Sequence, residues 1–158
     1  MEGRVSEEIE VKVPASEAWK LYGTLQLANI VREALPNLIS KIDVVQGDGS
    51  VGTILHLFFA PVVINGKKGG GPSSYKEKFT VVDDERRVKE TEVVEGGFLD
   101  LGFTLYKVRF EVVEKEGNKE ECVTRSTVEY ELKRKLLRML RWFQFSPLLL
   151  SCRLLQIT

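Results

Sequence analysis

What most constrains this chain is the crowding of strand-forming segments after Pro36, with no space between them for helices. Six such segments follow one another, at 39–46, 51–60, 74–82, 86–94, 98–113 and 120–132. Turn residues mark four of the joints: Gly47-Asp48-Gly49-Ser50, Asp83-Asp84, Gly96-Gly97 and Gly117-Asn118. Parallel neighbours need a crossover of about a dozen residues or more, so connections this short predict an antiparallel sheet. A further segment at 5–13 alternates Ile9, Val11 and Val13 with Glu8, Glu10 and Lys12, the period of a half-buried strand, and brings the expected total to seven.

Two short amphipathic helices are expected between the first strand and the rest. Ser16 precedes the first, over 17–22, and Pro36 ends the second, over 27–35. Near the end of the chain Leu132, Leu136, Leu140 and Phe143 form one helical stripe and Arg134, Arg138 and Arg141 another, with Pro147 as the stop. These elements predict an α+β fold in which the sheet curls around an apolar filler, the C-terminal helix. A sheet that its filler does not fill completely leaves a concave apolar site for a small molecule. The segment 61–73, with Asn65-Gly66-Lys67-Lys68-Gly69-Gly70-Gly71-Pro72, reads as a long mobile loop.

Composition narrows the function. The 158 residues, 43% hydrophobic and 29% charged, suit one domain spanning 1–158 with its own core. The net charge of zero hides an asymmetry, because 131–158 holds six basic residues and one acidic one. No basic stripe is interleaved with aromatics on the strand-rich body, so nucleic acid is not expected as a partner. The basic tail reads as a packed helix with solvated arginines rather than a membrane contact. The opening residues lack the basic cap and apolar run of a secretory signal, and Cys122 and Cys152 suit a reducing compartment, so a cytoplasmic protein is expected. His56 is the only histidine, which leaves too few conventional ligands for a zinc site or a catalytic triad. The loop 47–53 joins two strands and lacks the Gly-Lys-Ser/Thr ending, which argues against a phosphate loop.

By period two, Tyr75, Glu77 and Phe79 share one face of their strand, and Lys89, if inward, shares its face with Thr91 and Val93. A buried lysine has its pKa lowered and a buried glutamate has its pKa raised, which brings both towards neutral proton transfer. Lysine and glutamate on strands are also commonly solvated, and the residues alone leave both readings open. Leu57, Phe59, Phe79, Phe98, Tyr106 and Val108 are the expected pocket wall, or simply core. His56 lies on the opposite parity and reads as structural.

The turn Gly47-Asp48-Gly49-Ser50-Val51-Gly52-Thr53-Ile54 resembles the glycine-rich loop of the plant birch-pollen-allergen, pathogenesis-related class ten and major latex protein superfamily. Ser74-Tyr75-Lys76-Glu77-Lys78-Phe79, then Val82 to Lys89, then Glu95 to Gly102 resemble its norcoclaurine synthase branch, in order and spacing, over roughly residues 5–132. The resemblance implies the helix-grip fold, a seven-stranded antiparallel sheet wrapped around a long C-terminal helix. It also implies a lyase-class Pictet–Spengler condensation of dopamine with a phenylacetaldehyde in alkaloid biosynthesis, without metal or organic cofactor. The family's catalytic lysine, glutamate and tyrosine fall on Lys89, Glu77 and Tyr75. Three departures stand out: Val108 where the branch has an aspartate, a longer 61–73 segment, and a 132–158 tail that lacks the expected alanine-rich helix.

The wider superfamily implies an alternative, a non-catalytic binder of small apolar ligands such as abscisic acid, cytokinin or flavonoids in plant defence and stress. Phosphatase inhibition of the abscisic-acid-receptor kind is disfavoured. Phe59-Ala60-Pro61-Val62 is unlike those receptors' gate, and Glu85-Arg86-Arg87-Val88 replaces their latch histidine. A monomer or a homodimer is expected.

Overall fold

The computed structural model describes residues 2–69 and 72–133. Strand β1 (Glu2–Val11) is followed by helices α1 (Ala15–Tyr22) and α2 (Gln26–Ala34). Then come β2 (Ile39–Gln46), β3 (Ile54–Phe59), the short β4 (Val63–Ile64) and β5 (Lys67–Lys68), β6 (Ser74–Asp83), β7 (Val88–Gly96), β8 (Phe103–Lys115) and β9 (Asn118–Leu132). Seven strands form one sheet in the order β1-β9-β8-β7-β6-β3-β2, antiparallel throughout. The α+β reading and the helix pair after the first strand therefore hold. Leu132, expected on the stripe of a C-terminal helix, ends β9 instead; the rest of that expected helix, from 134 to 145, the tail to 158 and Cys152 lie outside the described residues.

Consecutive hairpins build most of the sheet, but β1 pairs with the last described strand, so β1 and β2, neighbours in sequence, lie at opposite edges. The two helices carry the chain from one edge to the other, α1 packing on β8 and β9 and α2 on β2. Helix α1 starts earlier than Ser16 suggests: the Pro14 carbonyl accepts the Glu17 and Ala18 amides at 3.0 and 3.1 Å, so a backbone group starts the helix without a side-chain cap. Ala18 and Tyr22, one turn apart, face the sheet, as do Leu27 and Val31 of α2. The Tyr22 ring meets Phe110 at 5.9 Å, which fixes α1 over β8.

Two corrections concern loops. The 61–73 segment contains a hairpin, Val63 opposite Lys68 and Ile64 opposite Lys67, because Asn65 and Gly66 both adopt positive φ and reverse the chain in two residues. Phe98 is not in a strand: β8 begins at Phe103, and 97–102 is a turn entered through Gly97 and left through Gly102 at positive φ.

The β6–β7 pair carries two irregularities. Phe79 opposes Thr91 and Val81 opposes Glu90, so Thr80 is the extra residue of a bulge. The parity of β6 changes there, and Val82, packed on the core, comes opposite Lys89. Lys76 opposes Glu95 and Glu77 opposes Val93, which leaves exposed Val94 as the second extra residue.

Candidate active site

The inner faces of β6 and β7 bring Tyr75, Glu77, Phe79, Lys89, Thr91 and Val93 together, and all six are buried. The inward alternative for Glu77 and Lys89 is the correct one, at 6% and 3% exposure. An ion of either sign is costly in such surroundings unless polar groups compensate it. The Lys89 ammonium donates to the Thr24 carbonyl at 3.3 Å, in the α1–α2 connection, and stands 4.0 Å from the centre of the Phe79 ring. Glu77 and Lys89 act on each other electrostatically, and the Thr91 side chain also favours the ionised form of Glu77.

Burial dominates the ionisation of both groups. It raises the Glu77 carboxyl to about 7, against the opposing pull of Lys89 and Thr91, and it lowers Lys89 to about 8 against the pull of Glu77. The Tyr75 phenol is pushed well above its usual value by burial first, then by the charge of Glu77, and it stays protonated as a donor.

The wall beside these groups is aromatic. Phe59 and Tyr75 meet at 5.4 Å, Tyr75 and Phe98 at 6.1 Å, and Phe98 stacks on Tyr106 at 4.1 Å with planes 6° apart. Such a stack contributes about 1 kcal/mol beyond the area it buries. Leu57, Phe79, Phe98, Tyr106 and Val108 are buried and Phe59 is half-buried, so all six expected wall residues join the core cluster. Val108 is directly opposite Thr91. His56 faces away and hydrogen-bonds the Ser74 hydroxyl at 3.0 Å. An open groove of about 500 Å³, lined by Glu2, Gly3, Arg4, Leu105, Glu129, Tyr130 and Glu131, shares no residue with this wall.

Two turns hold the site from outside. At Gly97 an added Cβ would lie 2.6 Å from the Tyr75 Cβ, and φ is +56°, so the position needs glycine for space and for conformation. The glycine-rich turn before β3 spends two of its amides internally: Gly49 N–H donates to the Thr53 hydroxyl at 2.9 Å and Ser50 N–H to the Asp48 carboxylate at 3.1 Å. What it clamps is Phe79, whose carbonyl accepts from Gly52 at 2.9 Å and whose amide donates to Thr53 at 2.8 Å. The sequence pattern singled out this turn but not its role as the mount of the Phe79 ring.

Among the described residues no group of three or more His, Cys, Asp or Glu is gathered as a metal site. Cys122 is a buried free thiol there. No helix among the described residues is long and apolar enough to cross a membrane.

Residues 1–137 match the pathogenesis-related protein Bet v 1 family. The chain belongs to that family. Among Bet v 1 relatives, norbelladine synthase of Narcissus pseudonarcissus is 47% identical over 132 residues, which are 84% of this chain and 76% of that one. S-norcoclaurine synthase 2 of Papaver somniferum is 39% identical over 127 residues, 80% of this chain, but the chain spans only about half of it, 51%. An X-ray structure of norcoclaurine synthase from Thalictrum flavum, in complex with dopamine and hydroxybenzaldehyde, superposes with a TM-score of 0.80 at 33% identity, covering 99% of this chain and 84% of that one. The seven-stranded sheet and helix pair described above fit the helix-grip fold of these Bet v 1 neighbours.

Proposed function

We propose that this Bet v 1 chain is a norcoclaurine-synthase-like enzyme of alkaloid biosynthesis, condensing an arylethylamine such as dopamine with an aromatic aldehyde by a Pictet–Spengler reaction. The observation that carries the reading is a buried glutamate and lysine on one sheet face, with pKa values of about 7 and about 8, beside a wall of aromatic rings. The named relatives, and a neighbour holding dopamine and hydroxybenzaldehyde, support small aromatic substrates.

In this reading the amine nitrogen attacks the aldehyde carbon to form a carbinolamine. Lys89 gives a proton to its hydroxyl, and water leaves with the C–O bonding pair to produce an iminium. The electron-rich ring then attacks the iminium carbon, forming the C–C bond and returning a pair to nitrogen. Glu77 takes the ring proton and aromaticity is restored. General acid and general base catalysis of this kind contributes about 10²–10⁴-fold each. Tyr75, kept protonated, orients substrate oxygen from the adjacent position on β6. The wall of Leu57, Phe59, Phe98, Tyr106 and Val108 supplies stacking area and excludes water. A cytoplasmic location accords with a 27% identical relative named as an intracellular pathogenesis-related protein.

The test is incubation of the purified protein with dopamine and 4-hydroxyphenylacetaldehyde, with product resolved by chiral chromatography. One enantiomer in excess, lost with Lys89→Ala, is the expected result. Racemic product at the buffer rate, together with saturable binding of either substrate, would replace this reading by the non-catalytic ligand-binding one.

A further inference from the structure

We infer that Thr24 is a positioning residue of this site: its hydroxyl ties the end of α1 to the start of α2 and so aims its own carbonyl at the Lys89 ammonium. The consequence for catalysis rests on the condensation reading, but the contacts themselves do not depend on it.

Thr24 is the middle residue of the α1–α2 connection, 23–25. Its hydroxyl donates to the Lys20 carbonyl, in the last turn of α1, at 2.7 Å, and accepts from the Gln26 N–H, the first residue of α2, at 3.3 Å. Leu25, at the N-terminal cap of α2, has no side-chain oxygen to serve that helix, so the hydroxyl one residue earlier supplies the acceptor. A hydroxyl that accepts from an amide two residues on closes a small turn and holds ψ of its own residue. That angle sets where the Thr24 carbonyl points, and Lys89 donates to it at 3.3 Å. The connection is braced on both sides. The Trp19 indole N–H donates to the Asp84 carboxylate at 2.9 Å, and an added Cβ at Gly23 would lie 2.5 Å from the indole, so Trp19 ties the connection to the turn that leads into β7 and Lys89. An added Cβ at Gly49 would lie 3.4 Å from Leu25, which sets the connection against the glycine-rich turn that mounts Phe79.

An ammonium carries three donors and no acceptor, and the cross-strand partners of Lys89, Val82 on β6 and Phe110 on β8, are apolar. Among the described residues the charged group acting on Lys89 is Glu77 of β6, and the ring beneath it is Phe79. A carbonyl that accepts from the ammonium favours the charged form without cancelling its charge. Thr24 therefore fixes where the head group of Lys89 sits and helps keep on it the proton that the carbinolamine needs.

The experiment follows the Lys89 side chain by ¹³C NMR titration without substrate, its resonance identified by its loss in Lys89→Met. Thr24→Val keeps the branched shape and loses the hydroxyl, Thr24→Ala loses it without the branch and serves should the valine variant not fold, and Thr24→Ser keeps it. Without the hydroxyl the Lys89 midpoint is expected to fall below about 8 by about half to one pH unit, while Thr24→Ser leaves it near the wild-type value. An unchanged midpoint in folded Thr24→Val or Thr24→Ala overturns the inference, and so does an equal shift in Thr24→Ser. In the condensation assay the alkaline limb of kcat/KM should move to lower pH by the same amount in the variants without the hydroxyl and stay in place in Thr24→Ser. If no protein catalyses condensation while the NMR midpoints shift as expected, the functional reading fails and the positioning of Lys89 by Thr24 stands.

Discussion

The Lys89 ammonium stands 4.0 Å from the centre of the Phe79 ring, so the acid of the proposed reaction rests on an aromatic face mounted by the glycine-rich turn. The ring's negative face favours the charged form of the amine, by about 1 kcal/mol or more. Phe79→Leu should therefore lower the Lys89 pKa below about 8 by somewhat under one unit, and a ¹³C NMR titration of the lysine side chains checks it. A value that rises or stays fixed would show that the ring contributes only packing.

Catalysis as proposed needs Glu77 ionised and Lys89 protonated at once. With pKa values of about 7 and about 8, kcat/KM should trace a narrow bell between them. Glu77→Gln should cost roughly a hundredfold or more in rate and abolish the acid limb. A profile flat from about pH 6 to about pH 9 contradicts the assignment.

The same two groups should mark stability. Glu77 is raised from 4.5 to about 7, so the folded chain holds a proton that the unfolded chain has released, and stability declines as pH rises between those values. Lys89 is lowered from 10.5 to about 8, so the unfolded chain binds the extra proton and stability recovers as pH rises from about 8 to 10.5. The pair predicts a minimum between about 7 and about 8. Denaturant unfolding across pH should show it in wild type and lose it in Glu77→Gln/Lys89→Met; parallel curves for the two proteins would refute it.

Gly97→Ala should destabilise the fold by roughly 2 kcal/mol, because a Cβ at positive φ would also displace Tyr75. Loss of activity larger than the loss of folded protein, read from urea midpoints beside initial rates, would tie the turn to the tyrosine's placement.

Val108→Asp would set a carboxyl opposite Thr91 at a position only 1% exposed. Stability at neutral pH should fall by about 1–3 kcal/mol, and the Glu77 midpoint should rise further through like-charge repulsion. Thermal unfolding and the carboxyl titration measure the two effects; a Glu77 midpoint that stays in place would mean the new carboxyl is neutral.

Much of this was legible because a strand's side chains alternate and a hairpin's turn residues are few. Tyr75, Glu77 and Phe79 alternate with Lys76 and Lys78, and the burial follows that alternation. The helix pair followed from its amphipathic pattern and its start and stop residues, and the antiparallel pairing from the short connections. What escaped was set by backbone and by long-range packing. The acceptor for Lys89 is the Thr24 carbonyl, a group that every residue carries and no motif marks. The bulges at Thr80 and Val94 shift the pairing without any change in residue pattern. Phe98 looks like strand because Leu99 and Leu101 continue its apolar run, yet positive φ at Gly97 and Gly102 folds the run into a turn. The hairpin at 63–68 was hidden because two residues per strand are too few to show a period.

The neighbouring burial of Glu77 and Lys89 also bears on how the enzyme would recover between turnovers. Each condensation leaves Lys89 one proton short and Glu77 one proton over. Transfer of that proton from Glu77 to Lys89 would restore both groups together. Over one proposed turnover the two groups together neither gain nor lose a proton, so the cycle as a whole draws none from the buffer.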